Sequence, residues 1–405
     1  MTTTETPGIL ARILDPSNRA DPYPLYAELR RTPVAPQEDG SYVVSTYRAI
    51  TELLHDPHVS SDLRNQTRPT PSAAYTEGTP EFINTDPPDH DRLRRMTMRH
   101  FGPPHSAGLV DGMRPALTAT IGRLLDGFAD KPQIDVVDEF AYPFPVGVIC
   151  NLLGVPPEDE PRFSQWVIRI SELVDYNPSL DPPEKLQNGT QALGDLHEYL
   201  AGLVESHRSR PGEDLLSRLA TDDGPDGRMT DEQIVTTATL ILFAGHETTV
   251  NLISNGVLTL LRHPDMLQQL QSQPDLIIGV VEELLRYEPP VQIVPWRAAY
   301  SDVTIADTVI PKGAQIMLML ASGNRDPDRF HEPDRFDPSR QDNQHLGFGG
   351  GIHLCFGGPM ARLEVQIALT EFFRRLNNPR LIADPPPYRR SPILRGPLHL
   401  HVGQG

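Results

Sequence analysis

The run Phe348-Gly349-Gly350-Gly351-Ile352-His353-Leu354-Cys355-Phe356-Gly357-Gly358 sets one thiol in a glycine-rich loop, directly ahead of a helix-forming segment, Met360-Ala361-Arg362-Leu363-Glu364. A thiolate there feels the positive end of the helix dipole and the free N–H groups of the first turn. Such surroundings favour the ionised form, which is the form that binds a metal. Glycine has no Cβ, so this backbone can lie close against a flat ligand. A cysteine held this way suits an axial thiolate on a haem iron, the ligation that favours O–O cleavage.

A second constellation lies in Leu240-Ile241-Leu242-Phe243-Ala244-Gly245-His246-Glu247-Thr248-Thr249, where an acid and two hydroxyls interrupt a nearly apolar helical stretch. Gly245 costs about 1 kcal/mol relative to alanine inside a helix; close approach of a ligand is one reason to keep it. Thr248 falls four residues after Ala244, so its hydroxyl can bond the Ala244 carbonyl and open the helix locally. An opened turn beside Glu247 can hold water and pass protons. His246-Glu247 also begins a zinc-protease motif, but that motif needs a histidine at position 250, which is Val250.

Charged pairs make a third group. Glu283 and Arg286 stand at i and i+3 ahead of Pro289-Pro290 and share a helix face. In the helix that opens at Asp86-Pro87-Pro88-Asp89, His90 and Arg94 fall together, with Arg92, Arg95 and Arg99 on the opposite face.

The cysteine loop resembles the haem-binding loop of the cytochrome P-450 monooxygenases, Phe-Gly-x-Gly-x-His-x-Cys-x-Gly. Phe348, Gly349, Gly351, His353, Cys355 and Gly357 fill every fixed position. Ala244, Gly245, Glu247 and Thr248 are similar to that family's oxygen-activating segment, Ala-Gly-x-(Asp or Glu)-Thr. Glu283 and Arg286 match its Glu-x-x-Arg signature, and Pro333-Asp334-Arg335-Phe336 matches the segment holding its third partner. The resemblance runs from about residue 20 to 402. It implies haem b ligated by Cys355, with His90, Arg94, Arg297 and His353 on the propionates. It implies Thr248 and Glu247 in proton delivery, and Glu283, Arg286 and Arg335 as scaffold. Met360 replaces the usual leucine, and Asp307 stands where a turn glycine is common.

The implied activity is a monooxygenase that uses O2 to hydroxylate a lipophilic small molecule, such as a steroid, macrolide or other secondary metabolite. Oxidative coupling or dehydrogenation on the same haem is the alternative, and a non-enzymatic haem protein that binds a ligand is a third. The chain has no Cys-x-x-Cys and no Gly-x-Gly-x-x-Gly, so electrons must come from outside, from ferredoxin and an NAD(P)H-ferredoxin reductase. Arg92, Arg95 and Arg99 are expected to help dock that acidic carrier. Substrate contacts are expected from the 61–84 loop, the 164–192 region, Leu240, Ala244, residues 291–294, Ile393 and Leu394. The proline-rich stretch 177–183 is expected to be a mobile lid connection.

Positioning these groups falls to a mainly α chain with small peripheral sheets. Helical patterns cover 22–31, 47–55, 107–128, 140–153, 192–208, 231–262, 265–271, 275–287 and 359–376; strands are expected at 42–45, 302–305 and 315–320. Thr230 and Gln233 form a capping-box pattern ahead of the longest helix. The chemistry-bearing motifs run from 86 to 362, so they converge only if the chain of 405 residues folds as a single domain, with residues 1–20 as an extension. A formal charge of −18 argues against a nucleic-acid partner. Two cysteines give no disulfide framework, and no apolar run is long enough to span a membrane, so a cytoplasmic protein without a membrane anchor is expected.

Overall fold

The structure is a computed structural model that describes residues 8–67, 80–101, 108–174, 176 and 181–405. In chain order its α-helices are α1 (Ile9–Leu14), α2 (Tyr23–Leu29), α3 (Tyr47–His55), α4 (Asp89–Phe101), α5 (Leu109–Asp126), α6 (Pro143–Leu153) and α7 (Glu160–Val174). There follow α8 (Pro183–Ser209), α9 (Leu215–Thr221), α10 (Asp231–Arg262), α11 (Pro264–Ser272), α12 (Ile277–Tyr287), α13 (Leu320–Gly323) and α14 (Gly358–Arg375). The strands are short: β1 (Val34–Pro36), β2 (Tyr42–Val44), β3 (Val59–Ser60), β4 (Gln133–Asp135), β5 (Val294–Ala299), β6 (Val303–Ile305), β7 (Thr308–Ile310), β8 (Gln315–Leu318), β9 (Arg380–Leu381) and β10 (His401–Gly403). They form a sheet in the order β1-β2-β8-β5-β3, a second in the order β4-β10-β9, and the hairpin β6-β7. The mostly helical reading of the sequence holds.

α10 organises the molecule. Its start is fixed as the sequence implies: Gln233 N–H donates to Thr230 Oγ1 and Thr230 N–H donates back to Gln233 Oε1, a reciprocal cap. A helix buried on all sides belongs at the centre of a fold, and α10 joins two separate apolar cores. Its first half, Ile234 to Leu242, packs with residues of α4, α6, α7, α8 and α9. Its second half, Val250 to Leu260, packs with residues of α5, α12 and α14. Residues 243–249 lie at the seam between the two.

Two differences from the sequence reading have physical reasons. α7 and residues 183–191 of α8 were not expected. α7 is helical because it buries one stripe, Phe163, Trp166, Val167 and Ile170, and α8 extends back along it with Gly189 against Leu173. Residues 8–20, expected as an extension, are packed onto the body. Ile13 is fully buried, and Arg395 donates to the carbonyls of Arg19 (2.9 Å) and Ala20 (2.8 Å) while pairing with Glu288. Arg19 in turn donates to the Arg390 carbonyl at 3.4 Å. The two ends of the sequence are therefore tied by one arginine knot. Positions 68–79 of the 61–84 loop and positions 177–180 of the proline-rich stretch lie outside the described residues.

Candidate haem-thiolate site

Gly349 and Gly351 adopt left-handed φ values of 68° and 63°, which cost a residue with a Cβ dearly. At Gly351 a Cβ would also sit 1.9 Å from the Leu54 carbonyl oxygen. The loop closes with Cys355 N–H donating to the Phe348 carbonyl at 3.0 Å, and α14 begins three residues later. Cys355 keeps accessible surface yet is desolvated, the combination expected for a side chain that faces an enclosed space. Burial pushes its thiol up, opposed by the N–H groups of Gly357 and Gly358 and by the cations Arg94 and Arg362. Burial thus works against the ionisation that these N–H groups and cations favour, and a metal cation at Sγ would add to their side. Behind the loop, Arg362 grips Glu282 at 2.6 Å and lies 4.5 Å over the Phe348 ring.

Four basic side chains converge beside the loop. His90 and His353 meet ring to ring at 4.4 Å. Arg94 donates to the Leu354 carbonyl. A register shift between Val294 and Arg297 in β5 re-aims Arg297. Burial pulls the Arg297 guanidinium down to about 10, opposed by Asp86. Burial, then the charges of Arg297, His90 and Arg94, hold His353 down to about 2. Ser61 Oγ lies 2.8 Å from His353 Nε2, and Asp91 takes His90 Nδ1 at 2.8 Å. His90 Nε2 is buried with no hydrogen-bond partner. Mutually repelling basic groups with an orphaned buried nitrogen form a seat for carboxylates.

Across the molecule, the seam of α10 behaves as the sequence suggests. Thr248 Oγ1 donates to the Ala244 carbonyl at 2.7 Å and Thr249 Oγ1 to the Gly245 carbonyl at 2.8 Å. Phe243, Ala244, Gly245 and Thr248 keep partial exposure while the surrounding α10 residues are buried. At Gly245 a Cβ would also meet Ile149 Cδ1 at 3.1 Å, so the glycine eases the approach of α6 as well. Burial holds His246 down to about 3, against its hydrogen bond to the Tyr142 carbonyl, so it is neutral. Glu247 is almost fully buried and pairs with Arg389 at 2.8 Å.

The match to the cytochrome P-450 family model spans residues 34–395. The chain belongs to the cytochrome P-450 family. It is 40% identical to a vitamin D(3) 25-hydroxylase of Pseudonocardia autotrophica, covering 95% of this chain and 94% of the relative. It is 37% identical to the 6-deoxyerythronolide B hydroxylase of Saccharopolyspora erythraea, covering 95% and 96%. Ligand-free CYP164A2 of Mycobacterium smegmatis shares its fold with a TM-score of 0.87 and 39% identity, over 98% of this chain and 99% of that one. The chain is thus a P-450 monooxygenase, an enzyme class that uses haem with an axial cysteine thiolate, O2 and a redox partner. The open thiol of Cys355, the unpartnered His90 Nε2 and the half-exposed Ala244–Gly245 step all fit that group.

One expected role needs correction. Arg335 does not reach Glu283; its side chain is largely exposed and bonds Glu332 at 3.2 Å. It contributes its carbonyl, which accepts from Arg286 at 3.0 Å. The third partner of the Glu283–Arg286 pair is Arg340, 3.4 Å from Glu283, five residues after Arg335. The Glu283–Arg286 pair itself is completely buried, with Asp337 N–H and Asn343 Nδ2 completing the carboxylate. The cations of the expected docking face also have partners within the chain: Arg92 donates to Gln233 on α10, Arg95 pairs with Asp226 and Arg99 with Asp222 and Asp226, and the Arg95 side chain stays largely exposed. Among the expected substrate positions, Gln292 and Ile293 are buried away from the site. Gln292 joins Tyr26 to the Pro289 carbonyl, and Ile293 packs with Leu25 and Met319. Ser61, Asp91, Arg340 and Arg389 escaped the sequence reading; Ser61, Arg340 and Arg389 act across long separations that leave no local pattern, whereas Asp91 stands next to His90.

Proposed function

We propose that this P-450 hydroxylates a lipophilic small molecule of the steroid, macrolide or other secondary-metabolite kind, with electrons from a ferredoxin and its NAD(P)H-dependent reductase, in the cytoplasm. The observation that carries the chemistry is the open thiol of Cys355 beside a cationic seat whose buried His90 Nε2 lacks a partner. The apolar character of the half-exposed α10 face supports a lipophilic substrate. So do two relatives whose names give vitamin D(3) and 6-deoxyerythronolide B as what they act on. Among the described residues no helix is long and apolar enough to cross a membrane.

Haem, when bound, supplies the centre that reduces O2 and inserts one oxygen atom into a C–H bond. Cys355 Sγ would bind its iron, with the Gly357 and Gly358 N–H groups directed at the sulfur. His90, Arg94, Arg297 and His353 would hold its carboxylates. Splitting O2 to one alcohol and one water consumes two protons. Thr248 Oγ1 commits its own proton to the Ala244 carbonyl, which leaves its lone pairs to accept from a donor on the open face. Glu247, the next residue back, takes up protons on the side facing Arg389 and passes them toward Thr248 Oγ1.

The deciding experiment is the absorption spectrum of the reduced, CO-bound protein. A strongly red-shifted Soret band, lost in Cys355→Ser, is the expected result. An imidazole-type band in the intact protein removes Cys355 from the iron and the proposed chemistry with it.

A further inference from the structure

The 387–398 segment folds back on itself. Tyr388 bridges Pro397, Arg389 N–H donates to the Gly396 carbonyl at 3.2 Å, and Leu398 N–H donates to the Pro387 carbonyl at 2.7 Å. Successive side chains of an extended segment point to opposite sides, and here two successive side chains are arginines. Arg389 turns inward, its Nη1 2.8 Å from Glu247 Oε1; the acid is 4% exposed. Arg390 turns the other way, its Nη1 donating to Asp181 Oδ1 at 3.0 Å. That carboxylate is 6% exposed and also lies 3.5 Å from Lys185 Nζ at the start of α8. The Arg390 carbonyl is held by Arg19.

We propose that Arg389 is the positioning residue of proton delivery, and that the Arg390–Asp181 pair fixes the backbone from which Arg389 reaches Glu247. The reasoning is geometric. Glu247 has three side-chain torsions and occupies the seam between two cores, and the Arg389 cation at 2.8 Å favours the rotamer that faces it. A guanidinium does this only if its own backbone is fixed. Arg395 anchors the far arm of the segment through Glu288 and the Arg19 and Ala20 carbonyls, and the Arg390–Asp181 pair holds the near arm, next to Arg389. This inference rests on the reading of Glu247 as a proton carrier.

The test compares holoenzyme variants for product formed per O2 consumed, for the solvent deuterium isotope effect on that ratio, and for hydrogen exchange in 387–398. Asp181→Asn and Arg390→Gln should each lower the ratio by roughly two- to tenfold and speed exchange in the segment. The double variant should be no worse than either single one, because both remove the same pair. Arg389→Gln should enlarge the isotope effect, and Arg389→Lys should restore much of the wild-type value. Glu247→Gln separates the layers. If it leaves coupling and isotope effect unchanged, the proton-carrier reading itself fails. If it uncouples the enzyme while Asp181→Asn, Arg390→Gln and Arg389→Gln do not, the carrier stands and the positioning role of Arg389 is overturned.

Discussion

At the scale of single residues, the same motif letter can be right while its role is misplaced. Glu283 and Arg286 were legible because i, i+3 spacing is local. Arg335 was assigned a side-chain role that the structure gives to Arg340, since what matters at Glu283 is where the 330s loop brings a guanidinium, and no spacing rule encodes that. The difference is measurable. Arg340→Ala removes a cation beside a buried carboxylate and should cost about 1–3 kcal/mol, whereas Arg335→Ala loses an exposed pair and should cost less than about 0.5 kcal/mol. Urea unfolding of the two variants side by side distinguishes them. Thr248 was legible in full, down to its bond to the Ala244 carbonyl. Thr248→Ala removes the hydroxyl that receives the relayed proton, so O2 use should continue while product falls about tenfold or more. Unchanged coupling, measured as product per O2, would take Thr248 out of the relay.

At the scale of elements, caps and apolar periods carried the reading where they were strong. Thr230 and Gln233 announced α10, and the 47–55 period announced α3 to the residue. α7 went unread although Phe163, Trp166, Val167 and Ile170 follow helical spacing, because Arg162, Arg169 and Glu172 dilute the stretch with charge. Its helicity depends on stacking against α8. The β6–β7 hairpin shows the opposite case, a local fault visible in both sequence and structure. Ala306 and Asp307 turn the chain with φ values of 44° and 61°, as a two-residue hairpin of the primed type requires. Neither is a glycine. Asp307→Gly should therefore raise stability by about 1 kcal/mol, read as a higher urea midpoint with an unchanged m-value.

At the scale of the whole molecule, one buried acid sets a pH limit. Glu364 on α14 is 4% exposed, its Oε2 has no hydrogen-bond partner, and burial raises its carboxyl from the ordinary 4.5 to about 8. Between those values the folded chain holds a proton that the unfolded chain has released. Stability from this group is intact below about pH 4.5, declines as the pH rises to about 8, and stays reduced above it. Glu364→Gln should match the wild type near pH 4.5 and exceed it by on the order of 2–4 kcal/mol near pH 9, which urea midpoints at the two pH values will show.

The Arg395 knot has its own consequence, in the timing of solvent access. One side chain holds the carbonyls of Arg19 and Ala20, and its own carbonyl is held by Asn255. When that side chain lets go, α1, α2 and the 387–398 turn lose their anchor in the same event. Amides at opposite ends of the sequence should then exchange with deuterium in step, as one opening unit rather than two fraying tails.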